Sequence, residues 1–254
     1  MSVVHTFSNY NSISGMGESD ISYDITPDNH VSITWLQLGT DRYSGIELFD
    51  RKMNFIRQLA QAGGHMHYTR DLDGQEVLVW FNANDPTPVA PNAVVKIRLS
   101  TGQQFPLLSL DWSLAVHISA TDSSGYVFVE TYAPTDPGPR SGWVPYANEL
   151  LQVKLDGKEV RRLAHHRSRP LDTYNYQPRL SVSRDGSRLI YSSNFGLQRL
   201  LRLPNIYQNY TDVYLISPQQ GPQLEFIPNT KSAPLPRKSP TSVTYPLSIG
   251  TPKS

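Results

Sequence analysis

The stretch Gln177-Pro178-Arg179-Leu180-Ser181-Val182-Ser183-Arg184-Asp185-Gly186-Ser187-Arg188-Leu189-Ile190-Tyr191-Ser192-Ser193 decides the fold. A short alternating run meets Asp-Gly, a pair that tolerates the positive φ of a tight hairpin, and an apolar run rich in strand formers follows at once. The same grammar is written three more times upstream. First strands are expected at Asp20 to Thr26, His65 to Asp71, Ala115 to Thr121 and Gln177 to Arg184. Turns follow at Asp28-Asn29, Asp73-Gly74, Ser124-Gly125 and Asp185-Gly186. Second strands follow at His30 to Leu38, Glu76 to Phe81, Tyr126 to Tyr132 and Arg188 to Ser193, and third strands at 45–49, 94–99, 150–155 and 212–216. Fourth strands lie around Phe55-Ile56, Phe105 to Leu108, Val160 to Leu163 and Leu224 to Ile227.

The first turns begin at residues 28, 73, 124 and 185, spacings of 45, 51 and 61. Propeller blades repeat every 40–50 residues or so, with insertions adding the rest. A β-sandwich also has frequent turns, but it does not repeat one four-strand order four times. No long segment carries helical apolar spacing. The expectation is an all-β chain, a β-propeller with four recognisable four-stranded blades that forms part of a larger or truncated ring. Residues 1–17 read as an N-terminal remnant or closing strand, 18–60, 61–110, 111–170 and 171–228 as blades, and 229–254 as a disordered tail rich in Pro, Ser and Lys. Core positions should include Ile33, Trp35, Val77, Val79, Val127, Val129, Leu189 and Tyr191.

The run Ser183-Arg184-Asp185-Gly186-Ser187-Arg188-Leu189-Ile190-Tyr191-Ser192-Ser193-Asn194, with Val213-Tyr214-Leu215-Ile216 after it, resembles the TolB-type or WD40-like (PD40) propeller repeat of bacterial proteins. The resemblance spans roughly 18–228 and is strongest in the fourth unit. It implies a fold and not an activity, since such repeats serve binding modules, peptidase partner domains and a lyase family.

At 254 residues and 38% hydrophobic, the chain can bury a real core. It has no Cys, which excludes disulfides and thiolate metal sites. Net charge is +1, but Lys231, Arg237, Lys238 and Lys253 all lie in the tail. The body is near neutral, which argues against nucleic acid. No uncharged run reaches the length of a membrane helix and no signal peptide is legible. Residues 1–254 therefore read as soluble; their compartment stays open, with a periplasmic or extracytoplasmic location tied to a longer N-terminal part. An arc of four blades would leave open edges, so self-association through them is expected.

Long loops between second and third strands crowd one end of such a scaffold, and binding usually resides there. Ligand-binding candidates at that end are Arg179, Arg140, Trp143, Arg167 and Arg169, since Arg forks grip carboxylates or phosphates. The run Arg161 to Arg169 also suits an outer strand defended by charge. His65, His67, His117 and Gln177 sit near the starts of first strands and could gather at one channel mouth. That set is similar to the three-His-one-Gln manganese site of oligogalacturonate lyases, and the similarity implies Mn or another divalent metal holding an acidic saccharide. The sequence shows no Gly-x-Ser-x-Gly elbow, no His-Glu-x-x-His and no phosphate-cradling glycine loop. The leading expectation is thus a binding module for a protein, glycan or small molecule, without a cofactor; the alternative is a metal-dependent lyase or hydrolase acting on an acidic saccharide.

Overall fold

A computed structural model describes residues 21–35, 38–83, 90–121, 125–133, 144–169, 171, 176–196 and 211–218. All of them belong to one compact unit, Met1–Gln219; the second unit, Gln220–Ser254, lies outside the described residues. The strands in chain order are β1 (Ile21–Ile25), β2 (Val31–Trp35), β3 (Ile46–Phe49), β4 (Phe55–Ala60), β5 (Met66–Arg70), β6 (Glu76–Asn82), β7 (Ala93–Arg98) and β8 (Gln104–Ser109). They continue as β9 (Ala115–Ala120), β10 (Tyr126–Tyr132), β11 (Glu149–Lys154), β12 (Val160–His165), β13 (Ser181–Val182), β14 (Leu189–Ser193) and β15 (Asp212–Ile216). They form three antiparallel sheets, β1-β2-β3-β4, β5-β6-β7-β8 and β9-β10-β11-β12, and a three-stranded sheet, β13-β14-β15. No described helix is long and apolar enough to cross a membrane.

The first hairpins close as the turn residues dictate. Asn29, Gly74, Gly125 and Gly186 all adopt positive φ, between 62° and 80°. Asn is the non-glycine residue best suited to that conformation. Gly45 is required for a second reason: its φ is +58°, and a Cβ there would stand 2.1 Å from the Ala60 carbonyl oxygen. β-Bulges fall in the outermost strand pair of each four-stranded sheet, between β3 and β4, β7 and β8, and β11 and β12. Such bulges twist an outer strand away from further pairing.

Strand alternation assigns each side of a central strand to a different neighbour. In β6, Val77 and Val79 pack with Val116, Ile118, Val127 and Val129 of the third sheet. Leu78 and Trp80 turn the other way, toward Ile46 and Leu48 of the first. Phe128 and Leu150 of the third sheet meet Leu189 and Tyr191 of the fourth. Every junction between consecutive sheets therefore holds its own apolar layer. All eight expected core positions are buried. Inner strands β5 and β9 and inner strands β9 and β13 adjoin. Consecutive four-stranded meanders stacked face to face, innermost strands together, are the blades of a β-propeller.

One expectation needs correction. The first strand of the fourth unit, expected over 177–184, is laddered only at Ser181–Val182. Pro178 has no N–H to donate, and Arg179 takes a φ of 48°, which interrupts the extended run. The Pro178 carbonyl still accepts the Ser192 N–H at 2.7 Å, so the segment stays alongside β14. The expected fourth strand of that unit, Leu224 to Ile227, and the tail lie outside the described residues, as do the first seventeen residues.

Polar ties join the blades where apolar layers end. The Tyr68 hydroxyl donates to Ser32 Oγ, joining blades two and one, and Thr69 donates to the Thr121 carbonyl of blade three. Burial pushes the Tyr68 hydroxyl well above its ordinary pKa. Lys96 Nζ lies 2.8 Å from Asp71 and also donates to the Leu155 carbonyl at 2.7 Å, crossing from blade two to blade three. Asp71 holds Arg98 as well, at 3.0 Å.

Candidate functional site

The start of each inner strand opens at the end that carries the long loops. There His65, immediately before β5, sets its ring edge-on to His117 of β9, with centroids 4.5 Å apart. His117 in turn stacks on Tyr132 of β10 at 5.3 Å and 22°. The stack exists because Tyr132 pairs with Ala115 across β10 and β9, which brings position 117 onto the same side. His117 Nδ1 stands 3.1 Å from Oε1 of Glu130, its cross-strand partner. Glu130 is fully buried, and its other oxygen accepts the Leu180 N–H of blade four at 2.9 Å. A buried carboxylate needs such partners, and these two fix the imidazole while tying blade four to blade three.

His65 is different. Desolvation of its ring, then the neighbouring His117, lowers its pKa to about 4. The ring keeps an exposed edge. At neutral pH it is an uncharged ring with free access to solvent. Gln177 enters from blade four at the same end: its backbone carbonyl accepts from Ser192 Oγ at 3.2 Å, while its side-chain Oε1 is buried with no hydrogen-bond partner. Arg179, two residues on, is exposed.

The structure thus brings His65 and His117 together and places Gln177 and Arg179 at the same end. His67 is half-buried in β5 opposite Val79. Among the described residues no three His, Cys, Asp or Glu side chains converge as the donors of one metal ion, so His67 does not join the other two histidines in such a set.

The arginine run resolves into parts. Arg161 donates to Gln152 at 3.0 Å, and Arg162 pairs with Glu149 at 3.1 Å, so these arms lie along their own blade. Arg169 is half-buried and built into a clip. Its N–H donates to Asn194 Oδ1 at 3.0 Å, and its guanidinium donates to the Ser168 carbonyl at 2.6 Å. Arg167 is exposed, with a φ of 56°. Arg140 and Trp143 lie outside the described residues.

Three functional or structural groups were not singled out from sequence: Tyr132, Glu130 and His166. Glu130 had a legible signal, an acid inside the apolar run Tyr126 to Tyr132. His166 did not, because it is embedded in a basic run that suits solvent. It is fully buried: Nε2 donates to the Thr131 carbonyl at 3.2 Å, and Nδ1 accepts the Ser168 N–H at 3.1 Å. Burial is the main reason its pKa falls to about 3.

No family model matches the chain, and no curated protein matches it. Solved structures do. An oligogalacturonate lyase from Vibrio parahaemolyticus aligns at 11% identity and a TM-score of 0.46, over 76% of this chain and 47% of that one. An oligogalacturonate lyase in complex with manganese aligns at 12% and 0.44, covering 74% and 45%. A putative TolB from Agrobacterium tumefaciens aligns at 12% and 0.41, covering 67% and 53%. The chain spans about half the length of each. The likeness is one of fold.

Proposed function

We propose that this chain is a non-catalytic binding module whose ligand lies at the strand-start end, over His65, His117 and Tyr132, with Gln177 and Arg179 beside it. The observation that carries the reading is the ring stack of His65, His117 and Tyr132, with the unpartnered Gln177 amide oxygen at the same end. Ring faces pack against the C–H faces of a sugar, and a buried carbonyl without a donor accepts a hydroxyl. Arg179 adds a fork for an acidic substituent. The ligand class is therefore a saccharide, neutral or uronate-containing. The chemistry asked of the site is recognition, with His117 held by Glu130.

Calorimetric titration with neutral and acidic oligosaccharides tests this. Saturable binding should weaken about tenfold or more in His65→Ala and Gln177→Ala, the scale of one lost directional contact, and stay unchanged in Arg51→Ala, an exposed position in the β3–β4 turn. Absence of any saccharide binding, or equal weakening in Arg51→Ala, would overturn it. The proximity of His65 and His117 supports a second reading, a metal-dependent lyase or hydrolase on an acidic saccharide with Gln177 as a further donor. Stoichiometric manganese or zinc in purified protein, lost in His65→Ala and accompanied by turnover, would favour that reading over the first.

A further inference from the structure

The opposite end, where the short hairpins lie, holds a second feature. A cleft of ≈ 300 Å³ opens between blades one and two. Its apolar wall is Leu48, Ile56 and Leu99, and its polar lining includes Asp28, Glu76 and Arg57. The two acids are already engaged. Glu76 accepts the Asp28 N–H at 2.6 Å through one oxygen and faces His30 Nδ1 at 3.0 Å through the other. Asp28 pairs with Arg70 at 2.6 Å, which draws its pKa below the ordinary carboxylate range.

Arg57 is the exception. It projects from β4, opposite Leu48, and its guanidinium passes close to Gly102 in the β7–β8 turn of blade two. Its Nε is buried without a hydrogen-bond partner. Among the described residues no ion pair engages this side chain. A buried N–H on a permanently charged group is rarely left without an acceptor. The acids that line the same cleft are held by His30 and Arg70 instead, so among the described residues no acceptor completes Arg57.

We propose that this cleft binds a small monocarboxylate, its carboxylate on Arg57 and its short apolar body against Leu48, Ile56 and Leu99. A guanidinium fork matches a planar carboxylate in two parallel hydrogen bonds. The apolar wall rewards a carbon body that inorganic phosphate lacks, and the acids already present disfavour a doubly charged ligand. The cleft is separate from the site at the strand-start end, so either proposal stands or falls alone.

Titration of ¹⁵N-labelled protein with butyrate, followed through the Arg57 Nε–H signal, tests it. Butyrate should give a saturable shift, and its neutral isostere butyramide should give none. Arg57→Met, checked for an unchanged far-ultraviolet spectrum, should bind butyrate at least about tenfold more weakly, the loss of one charge-assisted pair. An equal response to butyramide, a response to phosphate alone, or a non-saturating shift in the unaltered protein would each overturn the proposal. The butyramide comparison needs no variant and decides the matter even if Arg57→Met fails to fold.

Discussion

The second blade and the fourth carry the same repeat and are embedded very differently. In β6 and β7 nearly every position is buried on both sides of the sheet, because blades one and three cover both faces. In β14 the positions alternate between buried and exposed or half-buried, and in β15 none is fully buried. Leu189 and Tyr191 face blade three, whereas Ile190, Val213 and Leu215 are 45%, 73% and 59% exposed. Ile190 and Leu215 oppose each other across the ladder, so the exposed side chains form one apolar face. The contrast is instructive because the repeat is most legible in the fourth unit. Its Asp-Gly hairpin encodes a local geometry, which forms whether or not a neighbour arrives. Burial of the second face is not local and depends on the next blade.

The largest expected effect tests that contrast directly. Leu78→Ala in β6 removes a fully buried side chain held between blades one and two, and should cost about 2–5 kcal/mol. Ile190→Ala, the corresponding kind of change on the open face of blade four, should fall within about 0.5 kcal/mol of the unaltered protein. Urea denaturation of both variants measures this. Similar costs would show that the open face is covered in solution.

A second effect resides at the junction between blades three and four. His166 reaches the Thr131 carbonyl of β10, and its own carbonyl accepts from Ser193 Oγ of β14 at 2.6 Å. Its folded pKa of about 3 lies below the ordinary value of 6.5, so the unfolded chain takes up the proton first. The stability it contributes is complete above pH 6.5 and falls as pH drops toward 3. At about pH 5 the loss should reach about 2 kcal/mol. The lowered pKa of His65 acts in the same direction. His166→Gln should be less stable near neutrality but lose less on acidification. Parallel pH profiles for the two proteins would remove His166 from the junction.

Much of this was legible beforehand, for physical reasons that also mark where legibility stops. The Asp-Gly and Asp-Asn turns, the eight core positions and the strand order follow from period-two alternation and positive φ, which are properties of neighbouring residues. The truncated β13 follows from Pro178 and Arg179, and only the proline was a visible warning. The tie from Lys96 through Asp71 to Leu155 joins residues far apart in the chain, and nothing local announces it. The basic run 161–169 looked uniform, yet the fold turns Arg162 outward and His166 into the core. At the strand-start end, His65 and His117 are legible only as members of a larger set with His67 and Gln177, and the neighbours of His117, Glu130 and Tyr132, come from the second strand, whose inward side only the sheet register defines.

The smallest expected change in folding stability accompanies a clear change in behaviour. Val213 and Leu215 lie on β15, the last strand of the described sheet, which combines an apolar face with an outer position. Among the described residues no strand pairs with the outer edge of β15, and its apolar face gains by leaving water. Light scattering over a range of concentrations should therefore show chains of 28.6 kDa associating. Replacing both mostly exposed residues with Lys buries no charge and removes little packed surface, so stability should move by no more than about 0.5 kcal/mol. The monomer fraction should nevertheless rise, because each Lys must be desolvated in any face-to-face contact. If the unaltered protein is monomeric at every concentration, the face is closed by other means, and blade four resembles blade two more closely than its burial indicates.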